Sequence, residues 1–318
     1  MNKRLLITLT AAVLLGGVAV GYTALSGAAP DNAAQSVPSS GGPRLMVLSN
    51  GKLSTVSRTD PAGSREVTAQ NCDRVYEAAG TISCLRPVGA LKAGELAVLN
   101  HDFKELKTVP LTGFPNRTRV SASGRMVAWT LFVDGHSYAA NGFSTSTGIY
   151  DTKTGTLVTS LEEFAVEGMP ARPVDTNYWG VTFTADDNRF YATMSTGGHR
   201  YLLEGDFAAR TVKPLNDFDN VECPSLSPDG TRIAYKKAVE GDPQKGWRVS
   251  VLDLASRKIT ELAETRSVDD QPAWVDDKTV AYSLQREDGL NDVWSVPADG
   301  SGTPAILVPE ASSPAPIS

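Results

Sequence analysis

The chain is poor in the residues that carry most enzyme chemistry. Its 318 residues include three Cys and three His. A Cys/His zinc site would need most of that supply in one place, and the spacings of Cys72, Cys84, Cys223 and His101, His136, His199 do not provide it. No G-x-S-x-G elbow and no phosphate-cradling G-x-x-x-x-G-K occurs, so neither motif points to a hydrolase or a nucleotide binder. Positive charge is short too. The 30 Lys+Arg stand against 36 Asp+Glu, a net charge of −6, which argues against nucleic acid because phosphate contacts need a basic patch. Hydrophobic residues, at 41%, are plentiful enough for a proper core, so global disorder is excluded.

The one long apolar run is N-terminal. Lys3 and Arg4 precede an uncharged stretch from Leu5 to about Leu25, with small residues at Ala24–Ser26 and Ser26–Ala28 as cleavage points. A basic start, an apolar run and small residues make the secretory pattern. The run also has the roughly 20 residues that span a bilayer. Residues 1–26 therefore read as a signal peptide or an uncleaved signal anchor, with the body on the outer side in either case. The first cysteine is Cys72, so no lipid anchor is expected behind the run. Residues 27–43, rich in Ala, Ser, Pro and Gly, read as a flexible tether.

Beyond Pro43 long helical periodicity is missing, and short β-branched and aromatic runs alternate with Gly, Asp, Asn and Pro turns. These runs repeat. PSLSPDGTRIAYKK followed by WRVSVLDLASRKITEL (Pro224–Leu262) reads as four strands, with a tight turn at Ser227–Gly230. The same order recurs at Pro272–Val308, at Val120–Leu161, at Phe183–Leu215 and more faintly at Val75–Leu111. A sixth copy, Arg44–Val67, lacks its leading strand. Ile82, Val127, Phe190, Ile233 and Val280 mark the matching strand position, at separations of 45, 63, 43 and 47 residues. A period near 45 with four strands per unit is the mark of a propeller blade. The expected fold is all-β: a six-bladed β-propeller of four-stranded antiparallel blades over residues 44–308, preceded by an N-terminal signal or anchor helix.

The strings SPDGTRIAY (Ser227–Tyr235), VLDLASRKITEL (Val251–Leu262) and DDQPAW (Asp269–Trp274) resemble the repeat of the TolB-like, WD40-like six-bladed propeller family of exported bacterial proteins. The resemblance covers residues 44–308, strongly in the last two blades and faintly in the first two. It implies scaffolding or partner binding. The sequence departs from the pattern at the turns Ser121–Gly124 and Ala185–Asp187, and where Trp274 is followed by VDDK.

A ring of blades must be closed or it leaves two sheet edges open. Pro314–Ser318 (PAPIS) echoes PSLS and PAWV, so residues 309–318 are a candidate for the missing inner strand, a disordered tail being the alternative. Cys72 and Cys84 flank a hairpin centred on Ala78, and an exported protein permits a disulfide between them. Cys223 lies across the ring from Cys72 and is expected to stay a buried thiol.

For function, His101 falls on one face of the ring and His136 and His199 on the other, which rules out a site built on all three. No catalytic residue, metal site or cofactor is assigned. Asp269 and Asp270 lead into an inner strand near the channel mouth, where a weak cation site is conceivable. Three connections are long for a propeller and open on one face: Val133–Thr147, Glu163–Asn177 and Ala238–Gly246. Long loops on a rigid frame tend to hold binding residues. His136, Tyr138, Asn141, Phe143, Tyr178 and His199 are the candidates for partner contact, while Trp179 and Trp247 are assigned to packing. The expectation is a monomeric, non-enzymatic, extracytoplasmic binding or scaffold module of the cell envelope. Its partner would be an envelope protein or cell-wall glycan, with membrane attachment only through an uncleaved N-terminus. The alternative is a secreted propeller enzyme, a glycan lyase or lactonase-like hydrolase with a channel metal.

Overall fold

The computed structural model describes residues 42–317 apart from 88, 90–93, 134–143, 170 and 216; the expected signal or anchor helix lies outside them. Six antiparallel sheets follow one another along the chain. The first contains β1 (Arg44–Ser49), β2 (Lys52–Ser57) and β3 (Arg65–Asn71). The second is β4 (Arg74–Ala78), β5 (Thr81–Arg86), β6 (Gly94–Asn100) and β7 (Glu105–Leu111). The third is β8 (Phe114–Val120), β9 (Met126–Val133), β10 (Ser144–Asp151) and β11 (Leu157–Val158). The fourth is β13 (Asn177–Phe183), β14 (Arg189–Thr196), β15 (His199–Asp206) and β16 (Thr211–Leu215), to which β12 (Ala165–Val166) adds a short parallel edge. The fifth is β17 (Glu222–Leu226), β18 (Arg232–Ala238), β19 (Trp247–Asp253) and β20 (Ile259–Glu261). The sixth is β21 (Ala273–Asp276), β22 (Thr279–Gln285), β23 (Asn291–Pro297) and β24 (Ala305–Val308). The last strand, β25 (Ser312–Ile317), returns to the first sheet and pairs antiparallel with β1 on its inner side. The ring is thus closed by the C-terminal strand.

The repeat has a physical centre. Leu45, Ile82, Val127, Phe190, Ile233 and Val280 each stand second in the second strand of a blade, and each is 0% exposed. An apolar side chain here packs between neighbouring sheets, and the alternation of a strand then fixes which residues face each neighbour. The fifth position of the same strand joins blade to blade. Thr130, Thr193 and Ser283 accept hydrogen bonds from the backbone N–H of Gly180, Cys223 and Ser313 in the next inner strand, at 3.4, 3.0 and 3.2 Å. All three donors are left-handed, with φ of 69°, 52° and 57°. At Gly180 only glycine fits, because a Cβ would stand 2.6 Å from the Cα of Cys223. In the fifth blade the position is Lys236, and the joint to the sixth is an ion pair instead, Lys236 Nζ to Asp269 Oδ1 at 2.5 Å.

Cys72 and Cys84 are bonded, with Cα atoms 5.5 Å apart. They do not face each other directly across a hairpin. The hairpin turns at Ala79 and Gly80, whose φ values of 48° and 77° suit a tight two-residue turn, so Cys84 stands opposite Val75. Cys72 lies in the connection before β4, and the bridge ties the β3–β4 crossing diagonally to β5. Replacing both cysteines by serine is expected to lower unfolding stability by about 2–3 kcal/mol, the loop-entropy value for a ring of this size. Chemical denaturation with and without reductant checks this: reductant should act on the parent protein and leave the double variant unchanged.

Candidate functional site: the two mouths of the channel

The inner strands run from the interblade crossings, longest before β13 and β21, to the tight turns, so the channel has a long-loop mouth and a tight-turn mouth. At the long-loop mouth Arg74 and Glu222 open their inner strands, and further charged residues gather beside them. Arg200 Nε lies 3.1 Å from Glu222, and Lys236 bridges Glu222 (3.4 Å) and Asp269 (2.5 Å). Arg117 faces Asp269 at 3.6 Å and Asp270 at 3.9 Å, and Arg74 faces Asp270 at 3.6 Å. Acid and base alternate across five blades. The indole of Trp247 donates to Glu222 (3.1 Å), and the Lys236 ammonium sits 4.2 Å above its ring. Gln271 completes the frame by donating to the carbonyls of Pro224 and Val181, at 2.9 and 3.3 Å.

This pairing decides the chemistry of the mouth. Burial would raise the Asp270 carboxyl, but Arg74 and Arg117 outweigh it and hold it below the ordinary range. Asp269 and Asp270 are both engaged by cations, so they form no open cation site. Among the described residues no group of three or more His, Cys, Asp or Glu could hold a metal ion. Cys223 lies in the same cluster, and burial pushes its thiol up despite Lys236 and Arg117. It is therefore a protonated thiol at neutral pH rather than a ready nucleophile.

The tight-turn mouth is built differently. The inner-strand residues opposite the six core positions are Pro316, Glu77, Val120, Phe183, Leu226 and Trp274. All six line a funnel-shaped cavity of about 480 Å³. Five are apolar and one is a carboxylic acid. One step deeper, Tyr76, Arg119, Thr182 and Ser225 line the same funnel, and Arg119 stacks 4.2 Å above the ring of Tyr76. Tyr76 and Arg119 also line a water-sized cavity of about 20 Å³ behind them, so the pair forms the floor of the funnel.

No family model matches the chain, and no curated protein matches it in sequence. Solved structures do match. TolB from Acinetobacter baumannii superposes with a TM-score of 0.58 at 19% identity, over 93% of this chain and 70% of that one. A putative TolB from Agrobacterium tumefaciens gives 0.53 at 14%, over 84% and 89% of the two chains. A chain of a nidogen/laminin complex gives 0.55 at 10%, over 87% and 98%. The fold is that of a TolB-like propeller.

Within this TolB-like propeller the expected contact residues separate. His136, Tyr138, Asn141 and Phe143 lie outside the described residues. Tyr178 is 2% exposed and belongs to the core cluster of the third and fourth blades, so it cannot offer a surface. Burial also pushes its hydroxyl up to about 12. Tyr178 is the second residue of β13, an inner strand buried throughout from Tyr178 to Phe183. His199 is exposed on the long-loop face, its Nδ1 2.8 Å from Asp219 and its ring stacked on Tyr201. His101 sits between β6 and β7, on the turn face, beside Asp102. The residues that order the two mouths, Arg74, Arg117, Arg119, Lys236 and Glu77, are not among the candidates from the sequence. A signal existed for two of them. Aligned on the repeat, Lys236 replaces Thr130, Thr193 and Ser283, and Glu77 replaces Val120, Phe183, Leu226 and Trp274.

Proposed function

We propose that this TolB-like propeller is a non-enzymatic, extracytoplasmic binding or scaffold module of the cell envelope, taking a protein or glycan partner on its long-loop face. The matched ion network at that mouth carries the reading. Each acid of the network is faced by a cation and its thiol is protonated, so these groups offer a rigid polar platform and none of them is a free general base. The loops around that platform differ in length from blade to blade, whereas the opposite face turns tightly. Such loops supply recognition on a fixed frame. One structural neighbour, the nidogen/laminin complex, was itself solved as a protein assembly. The N-terminal basic and apolar pattern supports the location.

In-cell crosslinking followed by pull-down tests this, with full-length protein beside a variant whose residues 134–143 are replaced by a two-residue turn. One envelope partner should be recovered with the native loop and fall at least about tenfold without it, as expected when anchoring residues are removed. Equal recovery with the short loop would discard this face.

A further inference from the structure

We propose that the funnel at the tight-turn mouth is a binding site for a small apolar molecule bearing both a carboxylate and an amino group, in class an aromatic or aliphatic amino acid. The argument begins with two orphaned polar groups. Arg119 is 5% exposed, and among the described residues no carboxylate pairs with it. Its Nη2 is spent on the carbonyl of Pro272 at 2.9 Å, and its Nε has no hydrogen-bond partner. Glu77 is 4% exposed; its Oε1 accepts from the backbone N–H of Gly80 at 2.8 Å, and its Oε2 has no partner. Burial holds this carboxyl above its ordinary range against the opposing Gly80 bond.

A buried cation without a counter-ion and a buried carboxyl oxygen without a donor both oppose folding. Orphaned groups of this kind call for a specific explanation. Here they stand in one cavity. Glu77 and Arg119 belong to the inner strands of neighbouring blades and line the same funnel, on adjacent rings. An arginine with one nitrogen pinned and a covered, unpartnered Nε suits a carboxylate that draws its guanidinium edge toward the funnel. A carboxylate with one oxygen pinned and the other covered but unpartnered suits a single ammonium proton that draws it toward the funnel. Phe183, Leu226 and Trp274 would cover the apolar side chain. The volume falls within the range of small-molecule pockets. Two of the three rim acids are less available, since Asp276 is met by Arg58 at 3.4 Å and Asp229 by Arg232 at 2.9 Å, and the third, Asp277, stands at the rim above the Arg119 floor.

Calorimetry on the full chain with four probes tests the assignment: phenylalanine, leucine, phenylacetate and phenethylamine. The two amino acids should saturate the site, with phenylacetate and phenethylamine each at least about tenfold weaker, the value of one charge-assisted bond. Arg119→Gln should abolish binding of every carboxylate. Glu77→Gln should bring phenylalanine down to the level of phenylacetate and leave phenylacetate unchanged. Leu226→Trp keeps both charges and narrows the funnel, so it should lose binding even if Arg119→Gln fails to fold. Absence of saturable binding by both amino acids overturns the proposal, as does phenethylamine binding as tightly as phenylalanine. The funnel and the long loops open on opposite faces, so either result leaves the partner-binding reading standing on its own test.

Discussion

Removing residues 309–318 should cost the propeller about 5 kcal/mol or more, a large share of the net stability of a folded domain. The shortened chain keeps β24 and loses only β25, the inner strand of the first blade. That strand is stitched to three blades. It pairs with β1 through Arg44–Ile317, Leu45–Pro316 and Met46–Ala315, and Ala315 is fully buried. The Ser313 N–H donates to Ser283 of the sixth blade, while its hydroxyl accepts from the N–H of Val75 and donates to the carbonyl of Val75 in the second. Arg65 clamps the approach by donating to the carbonyls of Pro309 and Glu310, at 2.7 and 3.0 Å. Without β25 the inner side of β1 is a bare edge, and the ring is no longer closed by hydrogen bonds. A fall in melting temperature of about 10–20 °C follows from the size of the loss. A synthetic peptide of residues 309–318 added in trans should restore part of it by strand addition. An unchanged melting temperature would show that closure contributes nothing.

The repeat was legible because one requirement recurs in every blade. A single apolar side chain, second in the second strand, must vanish between neighbouring sheets, and six such residues stand at a near-regular spacing. The same regularity exposed the missing leading strand of the first copy. What stayed hidden depends on contacts between distant parts of the chain. Arg117 and Asp269 meet although 152 residues apart, and periodicity carries no information about such a pair. The disulfide partners were readable, but their register was not, because the turn at Ala79–Gly80 displaces the hairpin centre from Ala78. Tyr178 looked like a loop aromatic until β13 proved to begin at Asn177, which places the tyrosine inside a buried strand and in the core cluster. Glu77 and Lys236 were visible only as exceptions within a column of the repeat. A ring of six similar blades makes such exceptions informative, since five neighbours state what packing alone would select.

Replacing Asp270 by asparagine should lower stability by about 3–5 kcal/mol at neutral pH, the usual cost of breaking a buried pair from one side. The residue is 6% exposed and couples three blades: Arg74 at 3.6 Å, Arg117 at 3.9 Å, and the N–H of Ser283 at 3.0 Å. Asparagine keeps the shape and can still accept from Ser283, so the loss reports the charge. It leaves Arg74 without its nearest acid, and leaves Arg117 only the more exposed Asp269. The pH dependence gives the sharper check. Because the Asp270 carboxyl is held below its ordinary value in the fold, its contribution is present above the unfolded carboxylate range, near pH 4, and is lost as pH falls through the folded value. The gap between parent and variant in urea midpoint should therefore be widest at pH 7 and narrow steadily below about pH 4. Other carboxylates that titrate in the same window act on both proteins and cancel in the difference. A gap that stays constant with pH would mean that the asparagine disturbs packing, and no gap at pH 7 would mean that the two arginines are satisfied without Asp270.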